Sequence, residues 1–292
     1  MKEANNFISK TVPSNSKTML DSARVSTSPT PSKTNLLTYV DAHLHLADAR
    51  YSGRIREIIS DASESNVSHL LSNATDYQTS VQTLEIAAKY HPMVLAAVGV
   101  HPWTANTGAD CQLDKFEELI KTNETLVEAI GEIGLDGKYP QNEQARRRQQ
   151  NVFEFFLQMA ERHGLPVIVH SRLALEEVLV TLPKYNLQKV LLHWYDGPTE
   201  KLRLIRDLGY LISVGPTLLY SHRMSEIARE ADLSMILTET DGPVTYSGPF
   251  KGRITKPSFV IDVARKLAEI KSLSSEAIQE ALTTNFKELL GA

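Results

Sequence analysis

The chain of 292 residues carries a single cysteine, Cys111. One thiol cannot form an internal disulfide, and a zinc site built mainly from thiolates is excluded. Sparse cysteine also fits a reducing compartment, so the expected location is cytoplasmic. Long apolar runs are missing too. The longest, "MVLAAVGV", is strand-sized and falls far short of the ~20 residues of a membrane span. The first residues have neither an apolar h-region nor a twin arginine, so no secretion signal is expected. Positive charge is scarce: 31 Lys and Arg stand against 35 Asp and Glu, a net charge of -4. Attraction to a polyanion over the whole surface is therefore excluded, and any nucleic-acid contact must come from a local basic patch.

What is present divides at about residue 36. Residues 1–36 are dominated by Ser, Thr, Asn and Pro and keep no helical or strand period. Such a stretch buries too little apolar surface to offset its ordering entropy, and a flexible, disordered extension is expected there. From Leu37 to the end, one domain of residues 37–292 shows short apolar runs alternating with amphipathic, charged stretches. The runs are "TYVDAHLH", "HLLSNAT", "MVLAAVGVHP", "LVEAIGEIGLD", "PVIVHSR", "KVLLHWYDG", "YLISVGP" and "MILTETDGP". Between them lie helical patterns such as "RIREIISDASESN" and "NEQARRRQQNVFEFFLQMAERHG". Gly164 and Gly209 sit where a helix C-cap hands over to a strand. Strand and helix alternating in this way over roughly 250 residues predict an α/β fold of the (β/α)8 TIM-barrel type.

The polar residues fall in one place relative to these runs. Six of them end in groups able to bind metal or phosphate: His43 and His45, His101, Glu132 with Asp136, His170 with Arg172, His193, and Glu239 with Asp241. In such barrels that C-terminal edge carries the active site. The other histidines sort differently. His69 and His91 precede their predicted strands, His163 lies in the last turn of a helix where a cation suits the dipole, and His222 opens a helix as either a surface or a rim residue. In a strand, His43 and His45 point to the same side. Taken alone, an HxH pair is more often two strand-end histidines than a chelate, and "GEIGLD" or "VIVHSR" alone has an equally plain structural reading. Their joint placement at one edge is what points to metal.

Imidazoles and carboxylates without thiolate suit zinc, manganese or another borderline divalent ion. The donors exceed what one tetrahedral ion needs, so two ions are expected. Glu132, midway around the barrel, is the natural bridge. His43, His45 and Asp241 would hold one ion, because strands one and eight are neighbours in a closed barrel. Glu132, His170 and His193 would hold the other, with Asp241 also placed as general base. Asp41, two residues before His43, is a candidate to orient an imidazole through its free nitrogen.

In this order, "DAHLHL", "GVHPW", "GEIGLD", "VIVHSR", "LLHWYDG" and "TETDGP" resemble the TatD family of metal-dependent deoxyribonucleases, within the amidohydrolase-like barrels. The resemblance covers about residues 38–290. It implies a TIM barrel, a site for two divalent ions (zinc, manganese or magnesium) and hydrolysis of DNA phosphodiesters, commonly as an exonuclease on single strands or ends. Position by position, the family's metal residues fall on His43, His45, Glu132, His170, His193 and Asp241. Many bacterial members read HCFSG where this chain has "HWYDG", and "ETDGPVTYSGPFKGRITKP" looks closer to the archaeal branch.

A scissile phosphate also needs donors for its growing charge. His101, Lys138, Arg172, Lys251 and Arg253 are the substrate-binding candidates, with His101 foremost. Trp103, Tyr139, Trp194, Tyr195 and Tyr246 offer faces for an unpaired base, each weighed against simple loop packing. The alternative is a hydrolase of the same superfamily acting on a lactone, amide or small phosphoester. A phosphotriesterase-like lactonase would place a carboxylated lysine where Glu132 stands. A mononuclear deaminase would carry a His-Ala-Gly-Glu segment that "VIVHSRLAL" lacks, and a non-catalytic barrel would have lost a ligand. No obligate protein partner is evident from the sequence.

Overall fold

Each of the eight apolar runs forms a strand: β1 (Tyr39–Leu44), β2 (Val67–Asn73), β3 (Val94–Val98), β4 (Val127–Gly134), β5 (Val167–His170), β6 (Val190–Leu192), β7 (Leu211–Val214) and β8 (Ile236–Thr238). The computed structural model describes residues 38–108, 110–138, 140 and 142–291. The expected tail, residues 1–36, and Tyr139 lie outside them. Consecutive strands pair in parallel from β1 to β8. Around them run α1 (Ile55–Glu64), α2 (Tyr77–Tyr90), α3 (Pro102–Thr107), α4 (Phe116–Thr122), α5 (Glu143–His163), α6 (Leu175–Thr181), α7 (Leu202–Asp207), α8 (His222–Glu230), α9 (Phe259–Lys271) and α10 (Ser275–Leu290). This is the (β/α)8 barrel that the alternation predicts.

The strands are buried on both faces, which is why they read as near-continuous apolar runs. The helices bury one stripe each. In α5 that stripe is Ala145, Gln149, Val152, Phe153, Phe156, Leu157 and Ala160, at the i, i+3, i+4 spacing of a core-facing helix. Burying Phe153 and Phe156 contributes about 1.5–3 kcal/mol each. Asn142 caps the start of α5 by accepting the Ala145 N–H at 2.9 Å, and Gly164, at φ 64°, ends it. Gln149 does more than fill the stripe, because its Oε1 accepts the Asp136 N–H at 2.9 Å and so supports the loop after β4.

Two strands depart from regular pairing where the site residues stand. The β1–β2 register shifts between Asp41 and Leu44, and the β4–β5 register shifts between Ile130 and Ile133. His43 and Glu132 lie inside these irregularities, which re-aim side chains at barrel rims. Close approach around β4 is possible only because of its glycines. A Cβ on Gly131 would stand 2.6 Å from Asn73 Oδ1, and one on Gly134, at φ 138°, 2.1 Å from the His170 carbonyl oxygen.

The shift in β1 corrects one expectation. Asp41 does not reach an imidazole. Its Oδ1 accepts the Thr240 N–H at 2.9 Å and its Oδ2 the Thr240 hydroxyl at 2.5 Å. Fully buried, it ties β1 to the segment after β8, and burial pushes its carboxyl well above the usual range. Further bonds close the same seam: the Thr238 hydroxyl donates to Val40 O at 2.9 Å, Asp241 N–H to His43 O at 2.8 Å, and His45 N–H to Gly242 O at 2.7 Å. His69 also differs from expectation. It lies within β2 and turns outward against Phe286 of α10, with ring centroids 5.9 Å apart.

Asp41→Ala leaves the Thr240 N–H and hydroxyl buried without their acceptor, at about 1–3 kcal/mol each. A clear fall in melting temperature with retained far-UV circular dichroism is the expected outcome. An unchanged melting temperature would remove Asp41 from the seam.

Candidate metal centre

The C-terminal ends of β1, β4, β5, β6 and β8 bring six side chains to one point. Glu132 is at its middle, only 2 % exposed. Its two oxygens face different partners. Oε2 lies 3.3 Å from both His43 Nε2 and His45 Nε2. Oε1 lies 2.8 Å from His170 Nδ1 and 2.8 Å from His193 Nε2. On the first side, Asp241 Oδ1 stands 3.2 Å from His45 Nε2 and 3.5 Å from His43 Nε2. Imidazole nitrogens also crowd one another, with His43 and His45 Nε2 3.2 Å apart and His170 Nδ1 and His193 Nε2 3.3 Å apart. Nitrogens so close, facing carboxylate oxygens in a buried pocket, form a donor set that a divalent cation satisfies.

The residues behind these rings fix which nitrogen faces inward. His45 Nδ1 lies 2.9 Å from the Asn73 carbonyl, and His170 Nε2 lies 2.9 Å from Asp136 Oδ2. An acceptor behind the ring holds the proton there and leaves the inner nitrogen its lone pair. Asp136 is itself fixed, because its Oδ2 also accepts the Trp103 indole N–H at 2.8 Å and its Oδ1 the Lys138 N–H at 2.7 Å. These bonds and the His170 imidazole, outweighing its burial, hold Asp136 down at about 2. In the sequence Asp136 stands out only as a rim carboxylate; its spacing of four from Glu132 is the one signal of its supporting role.

His101 is different in kind. At 5 % exposure it joins the cluster, with Nε2 3.1 Å from Glu132 Oε1 and 3.3 Å from His170 Nδ1. Behind it stands a donor: its Nδ1 accepts the Trp103 backbone N–H at 3.0 Å. A neutral ring must then carry its proton on Nε2, so His101 turns an N–H toward the centre and has no lone pair to give. Burial pushes this imidazole down to about 4 and keeps it neutral.

The remaining candidates separate. Arg172 and Lys138 lie on adjacent rim loops joined by Gly137 N–H to Arg172 O at 2.7 Å. Lys251 and Arg253 are exposed on the loop after β8, where the Arg253 guanidinium stacks 4.6 Å from the Phe259 ring centroid. Among the described residues, neither hydrogen-bonds nor ion-pairs with the cluster. The Arg253 guanidinium lies over the Phe250 and Phe259 rings of the loop's own aromatic cluster. Tyr195 and Tyr246 are buried, with hydroxyls donating to Pro198 O and Thr240 O at 2.6 Å each, so they pack loops and offer no stacking face. Trp103 is 48 % exposed beside His101, with ring centroids 4.7 Å apart. His222 is a surface residue.

Backbone strain marks the same rim. Trp194 at φ 39° and Asp241 at φ 46° occupy the left-handed region, at about 1–2 kcal/mol per residue for most side chains and less for Asp. From His45 a groove of about 630 Å³ runs between the loop after β1 and helix α2, lined by Asn73, Thr75, Gln78 and Gln82 with Asp48 and Glu85. No lysine or arginine is among its described lining residues.

Barrel, rim and donor set are those of a metal-dependent hydrolase. The chain belongs to the TatD-related DNase family, whose model matches residues 40–291. It is 31% identical over 247 residues to an uncharacterized metal-dependent hydrolase of Methanocaldococcus jannaschii, MJ1582, covering 85% of this chain and 94% of that one. Against the human deoxyribonuclease TATDN3 the identity is 29% over 259 residues, covering 86% and 93%. The crystal structure of YjjV, a TatD homologue from Escherichia coli, superposes with a TM-score of 0.80 at 28% identity, covering 87% of this chain and 98% of that one. Among the described residues, no helix is long and apolar enough to cross a membrane.

Without a bound cation, burial pushes His45 down, but its hydrogen bond to Asp241 and the charge of Glu132 outweigh this and take it up to about 9. A cation must displace that proton. Calorimetric titration with zinc at pH 7, in buffers of differing ionisation enthalpy, should therefore show proton release. Release should fade above about pH 9, and affinity should rise with pH up to that point. Buffer-independent heats at pH 7 would contradict the assignment.

Proposed function

We propose that the protein is a two-metal phosphodiesterase that hydrolyses DNA, acting on single strands or ends. The observation that carries the reading is the division of Glu132, one oxygen toward His43 and His45 and the other toward His170 and His193. In this reading Glu132 bridges, His43, His45 and Asp241 complete one site, and His170 and His193 complete the other. Two divalent ions held there, zinc, manganese or magnesium, would supply Lewis-acid polarisation of the phosphoryl oxygen and activation of water. Asp241 orients the attacking water and takes its proton. His101 donates its Nε2–H to a non-bridging phosphoryl oxygen, a role that suits a neutral ring better than a ligand's role.

Charge is arranged to match. Arg172 and Lys138 lie on the loops that follow β5 and β4, two residues after His170 and Asp136, while the groove beyond His45 has no lysine or arginine among its described lining residues and carries Asp48 and Glu85. So small a basic set fits a strand end better than a long duplex. Trp103, its indole N–H fixed on Asp136, is a pre-oriented face for an unpaired base. The human relative's name, deoxyribonuclease TATDN3, supports the same substrate class. The single cysteine supports a cytoplasmic location.

Glu132→Gln is expected to abolish turnover and reduce bound metal toward one equivalent, measured by elemental analysis; near-normal activity would remove Glu132 as the bridge. On a panel of single-stranded DNA, RNA, lactone and phosphotriester substrates, DNA should be cleaved. Activity on lactones with none on DNA would overturn the nuclease reading. Trp103→Ala should raise KM for single-stranded DNA about 5- to 150-fold, from the roughly 1–3 kcal/mol of a stacked base. An unchanged KM would remove Trp103 from the substrate path.

A further inference from the structure

Among the described residues, three of the cluster's atoms have no hydrogen-bond partner, and they belong together. His43 Nδ1, His193 Nδ1 and Glu239 Oε1 are all buried and unpartnered. The two imidazoles come from β1 and β6, yet their rings stack with centroids 3.9 Å apart and planes 9° from parallel. Their Nε2 atoms face opposite oxygens of Glu132, at 3.3 Å for His43 and 2.8 Å for His193. Both outer nitrogens are therefore turned away from the centre. One ring nitrogen of each and a carboxylate oxygen of Glu239 lie within 4.8 Å of one another.

Glu239 is fully buried at the end of β8. Its Oε2 accepts the Ser213 hydroxyl at 2.5 Å and stands 3.7 Å from His193 Nδ1. Ser213 has no freedom in this, because its Oγ already accepts the Trp194 N–H at 3.0 Å and its own proton must go to Glu239. The carboxylate is thus aimed by β7 at the two rings. Left unmet, each of the three polar atoms costs about 1–3 kcal/mol. Two N–H donors and one carboxylate acceptor are complementary, and a small shift of the carboxylate or one bridging water satisfies all three.

The other rings show what is missing. His45 has the Asn73 carbonyl behind it and His170 has Asp136. For His43 and His193, Glu239 brings a carboxylate oxygen within 4.8 Å of a ring nitrogen of each, and within 3.7 Å of His193 Nδ1.

We propose that Glu239 is a positioning residue shared by both halves of the centre. It holds the proton of His43 and of His193 on Nδ1, directly or through one water, so that each ring turns the lone pair of Nε2 inward. The proposal rests on the two-metal reading. It differs from the roles of Asn73 and Asp136 in that one side chain serves a ligand of each ion.

The test compares Glu239→Gln with Asp136→Asn in the full chain by zinc titration against a chromophoric chelator. A glutamine keeps the volume but replaces one acceptor oxygen with an N–H donor. Glu239→Gln should weaken both zinc equivalents, by about 10- to 100-fold, whereas Asp136→Asn, which touches only His170 among the ligands, should weaken one. In 15N-histidine spectra of the zinc-loaded wild type, His43 and His193 should both be protonated on Nδ1, and Glu239→Gln should broaden or shift those two signals while leaving His45 in place. Ser213→Ala, which removes only the hydroxyl that aims the carboxylate, should weaken the same two equivalents by a smaller factor and covers the case in which Glu239→Gln fails to fold. Both equivalents within twofold of wild type in folded Glu239→Gln would overturn the proposal, as would loss of one alone. A wild-type chain that binds fewer than two equivalents would overturn the two-metal reading itself, and that result is visible before any variant is made.

Discussion

A carboxylate buried among imidazoles is the constraint to which the rest of the rim answers. Burial alone would raise Glu132, but His101, His193 and His170 around it outweigh this and hold it well below the usual carboxylate range. An ionised group at 2 % exposure must be surrounded on every lone pair. That requirement explains why five strands contribute to one point. It also explains why the chain there contains glycine on either side of Glu132: with any Cβ at Gly131 or Gly134, β4 could not lie close enough to β2 and β5 for the carboxylate to meet its partners.

Around that point the histidines are sorted by what stands behind them. Acceptors back His45 and His170, and the unpartnered Nδ1 atoms of His43 and His193 face a third acceptor. A backbone donor sits behind His101. Proximity would count all five as possible ligands, whereas the hydrogen bonds behind three of them give His45 and His170 lone pairs to offer and His101 a proton, and the proposed role of Glu239 adds His43 and His193 to the first group. A hydrolase acting on an anion needs both kinds, because the cation-binding groups alone leave part of the phosphoryl charge unmet.

Much of this is legible in the sequence, and for a physical reason. A parallel strand is apolar from end to end, so a polar residue at its C-terminal edge is conspicuous, and the rim residues His43, His45, His101, Glu132, His170, His193 and Asp241 all stand at such edges. The loops are less legible. Arg253 lies on a segment rich in Gly and Pro, and nothing in its spacing tells that its guanidinium packs on Phe259. Tyr195 and Tyr246 read as stacking surfaces until their hydroxyls are seen bonded to nearby carbonyls. Asp41 is misplaced for a subtler reason: strict alternation puts it on the side of His43, and the register shift between Asp41 and Leu44 breaks that alternation. Bulges leave no mark in a hydrophobic pattern, which records burial and not phase.

The seam between β8 and β1 has a wider meaning. Two of the backbone bonds that close it run from His45 to Gly242 and from Asp241 to His43, so residues proposed to hold a cation also latch the barrel. A cation held by the proposed ligands would grip the same two strands that these bonds already join. On the proposed ligand set, a bound cation would act as a clasp on the joint where the first and last strands meet, at the place where the chemistry would occur.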